Sequence, residues 1–495
     1  MLRFAPTRRN RANRAESPAI PSSSIGYTAP MNGGRRSTEF VRALALLAAA
    51  KLAFLLLDST PHFFLWDSVT YLNGALGGEL PRDRSFLYSF LIRAIAVWPH
   101  SLLGLILAQT VAGLASAFLV FLILRRFALM PFAVALAGGL FVAIEPSQIF
   151  YERMMMAEAF GGVPWLGFIL LALAYVRDGR WFWIPLLASC GILTIAFRLN
   201  ETVVIILLGV CLPLLRVAWT RREHAPDWRR AAAHVVLAVA CTAALHVGYR
   251  HVVGAVAHTE PGYIGTEGLF RMGFLSPLVR GGDFRGTGCA GDLLDHVTQP
   301  FDIEHRNEQL WSKGGLWDVM QHECPQPERA AGIVAARAAA RFAASILPFA
   351  LETNALYFDA DAAHWRMESD LGHTDPLPLE LIDPVRDTFG FDVKATMYVD
   401  TPASTWFRHS QWWLTACLLL SPLLAVLLFL VRWREDRRPA MHLLAAVLIG
   451  IFLNHFLLSP IISYRYAHPF PPLVIVGLLG LIFRNAPDRR KDAVR

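Results

Sequence analysis

The chain has 495 residues, 55% of them hydrophobic and only 17% charged, with a formal net charge of +7. A water-soluble chain of this size carries about 25% charged residues, so the composition excludes an ordinary soluble enzyme and points to the membrane class. Apolar runs of about 20 residues match the roughly 30 Å hydrocarbon core of a bilayer. Such runs fall near 40–57, 101–124, 131–147, 160–176, 181–197, 202–218, 231–250, 410–431, 440–458 and 470–484. The expected fold class is therefore an all-α polytopic membrane protein with roughly ten transmembrane helices and a mixed extracytoplasmic segment.

Residues 1–38 are basic and rich in Ser and Pro, with almost nothing to bury, and read as a disordered cytoplasmic N-terminus. No small-residue cleavage pattern follows the first apolar run, so it reads as a retained span rather than a signal peptide. Met31 is a second candidate start. Arginines fall at every second connection: Arg125 and Arg126, Arg177 and Arg180, the 216–230 segment, 432–438 and the 485–495 tail. Lys and Arg are retained on the cytoplasmic side, so both termini are expected inside. Connections 58–100, 148–159, 198–201, 251–409 and 459–469 then face outward. The resulting division is a membrane module at 39–250 with a first outer loop at 58–100, a loop domain at 251–409, C-terminal helices at 410–484 and the tail.

The first outer loop holds Asp67 beside Trp66, then Tyr71, Arg82, Arg84 and Tyr88; the short apolar stretch 86–98 reads as a helix lying in the interface. Glu152 and Glu158 stand at the outer end of the fourth span. Each is either a cap or dipole partner of the helix or a group facing the same cavity as Asp67. Arg198 stands in the very short connection 198–201, where it either snorkels to headgroups or binds a lipid phosphate. In the long loop, Ala-rich 330–358 is nearly long enough to span, but a crossing there would misplace the later connections, so it reads as an outer helix resting on the membrane. The loop histidines show no metal spacing, so no metal set is expected. Cys190, Cys211, Cys241 and Cys417 lie in spans and read as buried apolar filler. Cys289 and Cys324 share the outward loop and are either paired or two unrelated thiols. Arg465, flanked by Tyr464, Tyr466 and His468, belongs to an aromatic belt or forms a phosphate clamp.

The order of these pieces resembles the bacterial GT-C glycosyltransferases that use polyprenyl-phosphate sugars, the group related to protein mannosyltransferases and aminoarabinose transferases. The matching elements are Asp67 and Tyr71, the Pro81–Tyr88 stretch with Arg82, Arg84 and Tyr88, the Tyr151–Glu152 pair before Glu158, Arg198, and Arg465 with Tyr466 and Pro469. The likeness covers 40–250 and the last hundred residues in layout. It implies an inverting transfer of a sugar from a lipid phosphate to a glycan, lipid or protein acceptor of the cell envelope. Asp67 would be the base, Glu152 and Glu158 further catalytic carboxylates, and Tyr71, Arg82, Arg84, Tyr88, Arg198, Arg465 and Tyr466 the substrate-binding residues. No cofactor is expected, the lipid-linked sugar being a substrate; a divalent metal remains compatible, and no nucleic-acid partner is expected. Two departures stand out: Ser68 replaces the second acid that many relatives carry, and 83–86 reads Asp-Arg-Ser-Phe where aminoarabinose-type relatives have Glu-Lys-Pro-Pro. On the residues alone, partial desolvation beside Trp66 should raise the basicity of Asp67. A transporter or flippase of a lipid-linked glycan is the alternative; it predicts charges in mid-span and related halves of the chain, neither of which the sequence displays.

Overall fold

In hydrocarbon a backbone has no water to bond, so apolar runs close their hydrogen bonds internally as helices. The computed structural model describes residues 33–220, 227–374, 379–395 and 398–484. It is 76% helical, without a β-strand among the described residues, as expected of an all-α polytopic membrane protein. The chain divides into two units, Met1–Arg42 and Ala43–Arg495. In the first, residues 33–42 are helical. The expectation of disorder over 1–38 therefore fails for 33–38, where adding residues to an existing helix gains a bond for each; 1–32 lie outside the described residues, as does the 485–495 tail.

The helices run α1 (Gly33–Leu57), α2 (Leu65–Ala75), α3 (Phe86–Ile92), α4 (Leu102–Leu122), α5 (Phe132–Ile144), α6 (Pro146–Tyr151), α7 (Glu158–Asp178), α8 (Trp183–Phe197), α9 (Thr202–Thr220) and α10 (Trp228–Ala257). The long loop contributes α11 (Glu267–Phe274), α12 (Glu308–Trp311), α13 (Leu316–Glu323), α14 (Pro327–Ala355), α15 (Ala360–Asp370), α16 (Leu379–Phe389) and α17 (Pro402–His409). The chain closes with α18 (Gln411–Leu430), α19 (Arg438–Leu458), α20 (Tyr464–Ala467) and α21 (Phe470–Ile482).

Side-chain bonds sort the connections of the second unit into two ends. At one end Arg177 lies 4.7 Å over Phe127, Arg230 donates to the Gly179 carbonyl at 2.8 Å, and Arg437 donates to the carbonyls of Leu129, Phe483 and Arg484. This basic end gathers the connections that follow α4, α7, α18 and α21. At the other, the Ala403 amide donates to Asp58, His62 meets Thr401 at 2.9 Å, Thr266 donates to the Arg82 carbonyl and Asn454 to that of Asn200. Arg198 of this end reaches His468. The opposite end thus holds every connection expected to face outward.

Nine helices among the described residues are long and apolar enough to cross a membrane, α14 included. The path of the chain bears on α14 in particular. Segment 258–410 leaves α10 beside Arg82 and enters α18 beside Thr401, both at the non-basic end, so it crosses an even number of times. Along α14, Arg337 and Arg341 bond to Asp283 and to the carbonyls of Arg285 and Leu278, and Asn354 donates to the Phe456 carbonyl at the exit of α19. Both halves of this 29-residue helix are therefore held at one end. Conversely α5 and α8, with 13 and 15 residues, must cross, because each joins the basic end to the other. They are only about 20 and 22 Å long.

The segment 258–410 is helix and turn among the described residues, not the mixed structure expected. Its core joins Met272, Leu316, Met320, Ala331 and Val334, closed by a Cys289–Cys324 disulfide. Loop-rich chains with so small a core gain stability from such a closure. Of the span cysteines, Cys417 is buried but Cys211 is exposed on its helix, so it is not core filler. If α14 stays on one side, single cysteines placed at Glu328 and Phe358 in a cysteine-replaced background should both react with an impermeant thiol reagent added from the same side of sealed vesicles. Labelling from opposite sides would make α14 a crossing helix.

Candidate active site

The site grows from the first turn of α2. The Phe64 amide donates to Ser68 Oγ at 2.9 Å, and that hydroxyl donates to the Met155 carbonyl at 2.9 Å. A parallel bridge between His62 and Met154 completes the tie. Ser68 is fully buried and latches α2 to the 152–157 segment. Asp67 then points to the opposite side of that turn.

Two guanidinium groups hold it. Arg84 pairs with one carboxylate oxygen, and Arg465 Nη1 donates to the other at 2.8 Å. Each arginine has a second acid: Arg84 pairs with Asp83, and Arg465 Nε lies 3.0 Å from Glu158 Oε1. The Arg84 guanidinium also sits 5.5 Å over the Tyr71 ring, and that of Arg465 5.5 Å over Phe64 and over Tyr466. Arginine suits this duty, since its planar fork serves two acids and still stacks on a ring. Arg465 owes its position to Asp370 of α15, whose carboxylate accepts from the amides of Tyr464 and Arg465 and from Ser463 Oγ. Asp67, Arg84 and Arg465 remain 17%, 13% and 22% exposed, so water and ligands reach them. Glu158 is more deeply set, and its second oxygen is buried without a hydrogen-bond partner.

Burial pushes the Asp67 carboxyl up, but Arg84 and then Arg465 outweigh it and bring it down to about 2. The expectation that desolvation makes Asp67 more basic is thus overturned for this arrangement: two cations facing one carboxylate stabilise its charged form by more than burial penalises it. The Trp66 side chain, invoked for that desolvation, lies outside the described residues. Burial raises the Tyr71 hydroxyl well above its ordinary value, so Tyr71 is neutral and its ring acts as a platform.

The structure brings Asp67, Tyr71, Arg84, Glu158, Arg465 and Tyr466 together. It sets the others apart. Glu152 is wholly buried and pairs with Lys51 of α1 while accepting from Gln148 at 3.0 Å, so the expectation that it joins Asp67 fails. A Cβ on Gly113 would stand 1.7 Å from Glu152 Oε1, so only glycine leaves it room. Arg153 next to it donates to the Asp58 carbonyl and to Thr110. Tyr88 is fully buried, donates to Gln109 at 2.6 Å and meets Tyr71 edge-on at 4.8 Å; it supports the site rather than lining it. Arg198 lies behind α20, bonding His468 and the Arg465 carbonyl, and so positions the clamp. Arg82 is 47% exposed, near Glu328, and lines a cleft of about 530 Å³ with Thr70, Asn73, Glu79 and Pro384, beginning one helical turn beyond Asp67.

Three contributors were missed from sequence, Lys51, Asp83 and Asp370, and His468 was noted beside Arg465 without its bond to Arg198. Lys51 had a signal, being a lone charge inside an apolar run, so the reading that no charge lies in mid-span is wrong for α1. Asp83 stood between two arginines that drew the attention. Asp370 and His468 act through backbone and ring contacts that only the folded chain displays. Among the described residues no cluster of three or more His, Cys, Asp or Glu could hold a metal ion. No protein-family model matches the chain, and no curated protein is similar enough to register as a relative.

Removing one member of a buried ion pair leaves the other charge uncompensated, at about 3–5 kcal/mol. Lys51→Met should therefore lower thermal stability in detergent sharply, and adding Glu152→Gln should restore part of it. A double variant no better than the single would show that the pair is not coupled.

Proposed function

We propose that the chain is an inverting glycosyltransferase that moves a sugar from a polyprenyl-phosphate donor to a cell-envelope acceptor at the non-basic end of its helix bundle. The observation that carries the reading is the convergence of Asp67 and Arg84 of the first outer loop with Glu158 and Arg465, from three segments distant in sequence, at the end of an apolar bundle. A lipid-borne phosphate reaches such a place without leaving the membrane, and two partly exposed arginines suit its charge. By the Lys/Arg rule the basic end faces the cytoplasm, which sets the site on the outer face of a bacterial cytoplasmic membrane with both termini inside.

In the reaction the acceptor hydroxyl oxygen forms a bond to the anomeric carbon from the face opposite the phosphate. The bond from that carbon to the phosphate oxygen breaks, and its electron pair leaves on the phosphate. Asp67 takes the hydroxyl proton, and Arg84 and Arg465 stabilise the departing anion. The unpartnered oxygen of Glu158 is an acceptor suited to orienting a hydroxyl. The cleft along α2 supplies polar walls for the rest of a hydroxylated acceptor. No metal or cofactor enters the scheme.

Purified protein given radiolabelled polyprenyl-phosphate sugar and an envelope extract should release free polyprenyl phosphate. Asp67→Asn should slow this by about 10²–10⁴-fold, the usual contribution of a general base, with unchanged membrane insertion. Near-normal turnover by that variant would remove Asp67 from the chemistry, and reporter tags placing position 67 in the cytoplasm would remove the whole reading.

A further inference from the structure

In the arrangement described, Arg84 and Arg465 each commit Nη1 to Asp67. They cannot hold a phosphate in the same way at the same time. Nor is Asp67 a useful proton acceptor while both hold it. The two duties exclude each other in one arrangement and fit together in sequence. We propose that the lipid phosphate, a diester in the donor and a monoester in the product, competes with the Asp67 carboxylate for the same pair of arginines, so that seating the phosphate releases Asp67 and lets it take up a proton. The inference rests on reading the arginines as the seat of the donor phosphate.

The geometry provides for the exchange. Each arginine keeps a second acid when Asp67 lets go: Asp83 on Arg84 and Glu158 on Arg465. These acids, with the rings of Tyr71 and Tyr466, hold the guanidinium groups in place for an incoming anion. Asp370 anchors the backbone of Arg465, and Arg198 accompanies it from behind, so the clamp survives the loss of one partner.

Charge count makes the proton a participant. Asp67, Asp83 and Glu158 face Arg84 and Arg465, one negative charge in surplus before any ligand arrives. Tyr71, on Asp67's own helix, is a neutral phenol and offsets nothing. A phosphate adds one to two negative charges. Once its cations turn to the phosphate, Asp67 is left partly buried beside an anion. Both conditions favour the protonated acid. Binding therefore draws in a proton, with an affinity that rises as pH falls through the carboxyl's bound-state range. Above that range the released carboxylate stays ionised, and the proton it takes during turnover is the one the attacking hydroxyl gives away, so the donor itself arms the base.

The test needs no sugar and no acceptor. A short-chain polyprenyl phosphate is titrated into detergent-solubilised full-length protein by calorimetry, in buffers of unlike ionisation enthalpy, between about pH 5 and 8, a range that spans the phosphate's own second ionisation. Wild type should take up more protons per site than Asp67→Asn, by up to one. The variant, freed of the competing carboxylate, should bind at least about tenfold tighter, as expected for relief of a partly buried ion pair. Glu158→Gln removes the same charge without freeing both arginines and should tighten binding less; equal tightening would reduce the effect to general charge relief and overturn the competition. Arg84→Gln and Arg465→Gln should each weaken binding at least about tenfold, the loss of a charge-assisted contact. If the arginine variants weaken binding but Asp67→Asn neither tightens it nor changes the proton count, the competition is wrong and the phosphate seat stands. If the arginine variants bind like wild type, the seat itself is wrong.

Discussion

A charge at the end of an apolar bundle has to be answered by another charge, because little water is left to solvate it. Arg465 is where that constraint concentrates. Its guanidinium joins α2 through Asp67 and α7 through Glu158, and its own amide is tied to α15 through Asp370. One side chain thus fixes the relative placement of the first outer loop, a membrane helix and the long loop. The site exists because these bonds are made together, and the clamp is formed before any ligand arrives.

Behind the site lies a second polar layer with a different duty. Lys51, Glu152, Gln148, Arg153 and Asp58 bind α1 to α4, to the α6–α7 turn and, through the Ala403 amide, to α17. These groups are almost sealed from solvent, whereas the Asp67 group is not. Degree of exposure separates ionisable groups that hold the bundle from those a ligand can reach.

The membrane architecture was legible because its signals are one-dimensional: run length, Lys/Arg alternation and the absence of charge. The reading of α14 as an outer helix came from counting sides, although its length and composition are those of a crossing helix. The site was legible in part. Asp67, Arg84, Glu158 and Arg465 stood out as charges at outer ends, and the fold brings them into contact. Glu152 carried the same signal and went elsewhere, because a gap over Gly113 and a lysine within α1 claimed it. No spacing rule along the chain reveals such a claim. The basicity of Asp67 was misread for a related reason: its sign depends on two arginines, one of them 398 residues away in sequence.

The two short crossing helices have a bearing on the lipid itself. A helix of about 20 Å beside a hydrocarbon layer of about 30 Å obliges the leaflets to pinch inward, at a modest cost per ångström. The α8 helix ends at Phe197, immediately before Arg198, and both are part of the surroundings of the clamp. Headgroups on that flank would ride lower than in the surrounding bilayer. If the lipid is the isoprenoid phosphate proposed above, its long tail, poorly matched to a thick ordered leaflet, would find its easiest berth in this dimple. Local membrane thickness would then act as a first filter on which lipids come near the arginines.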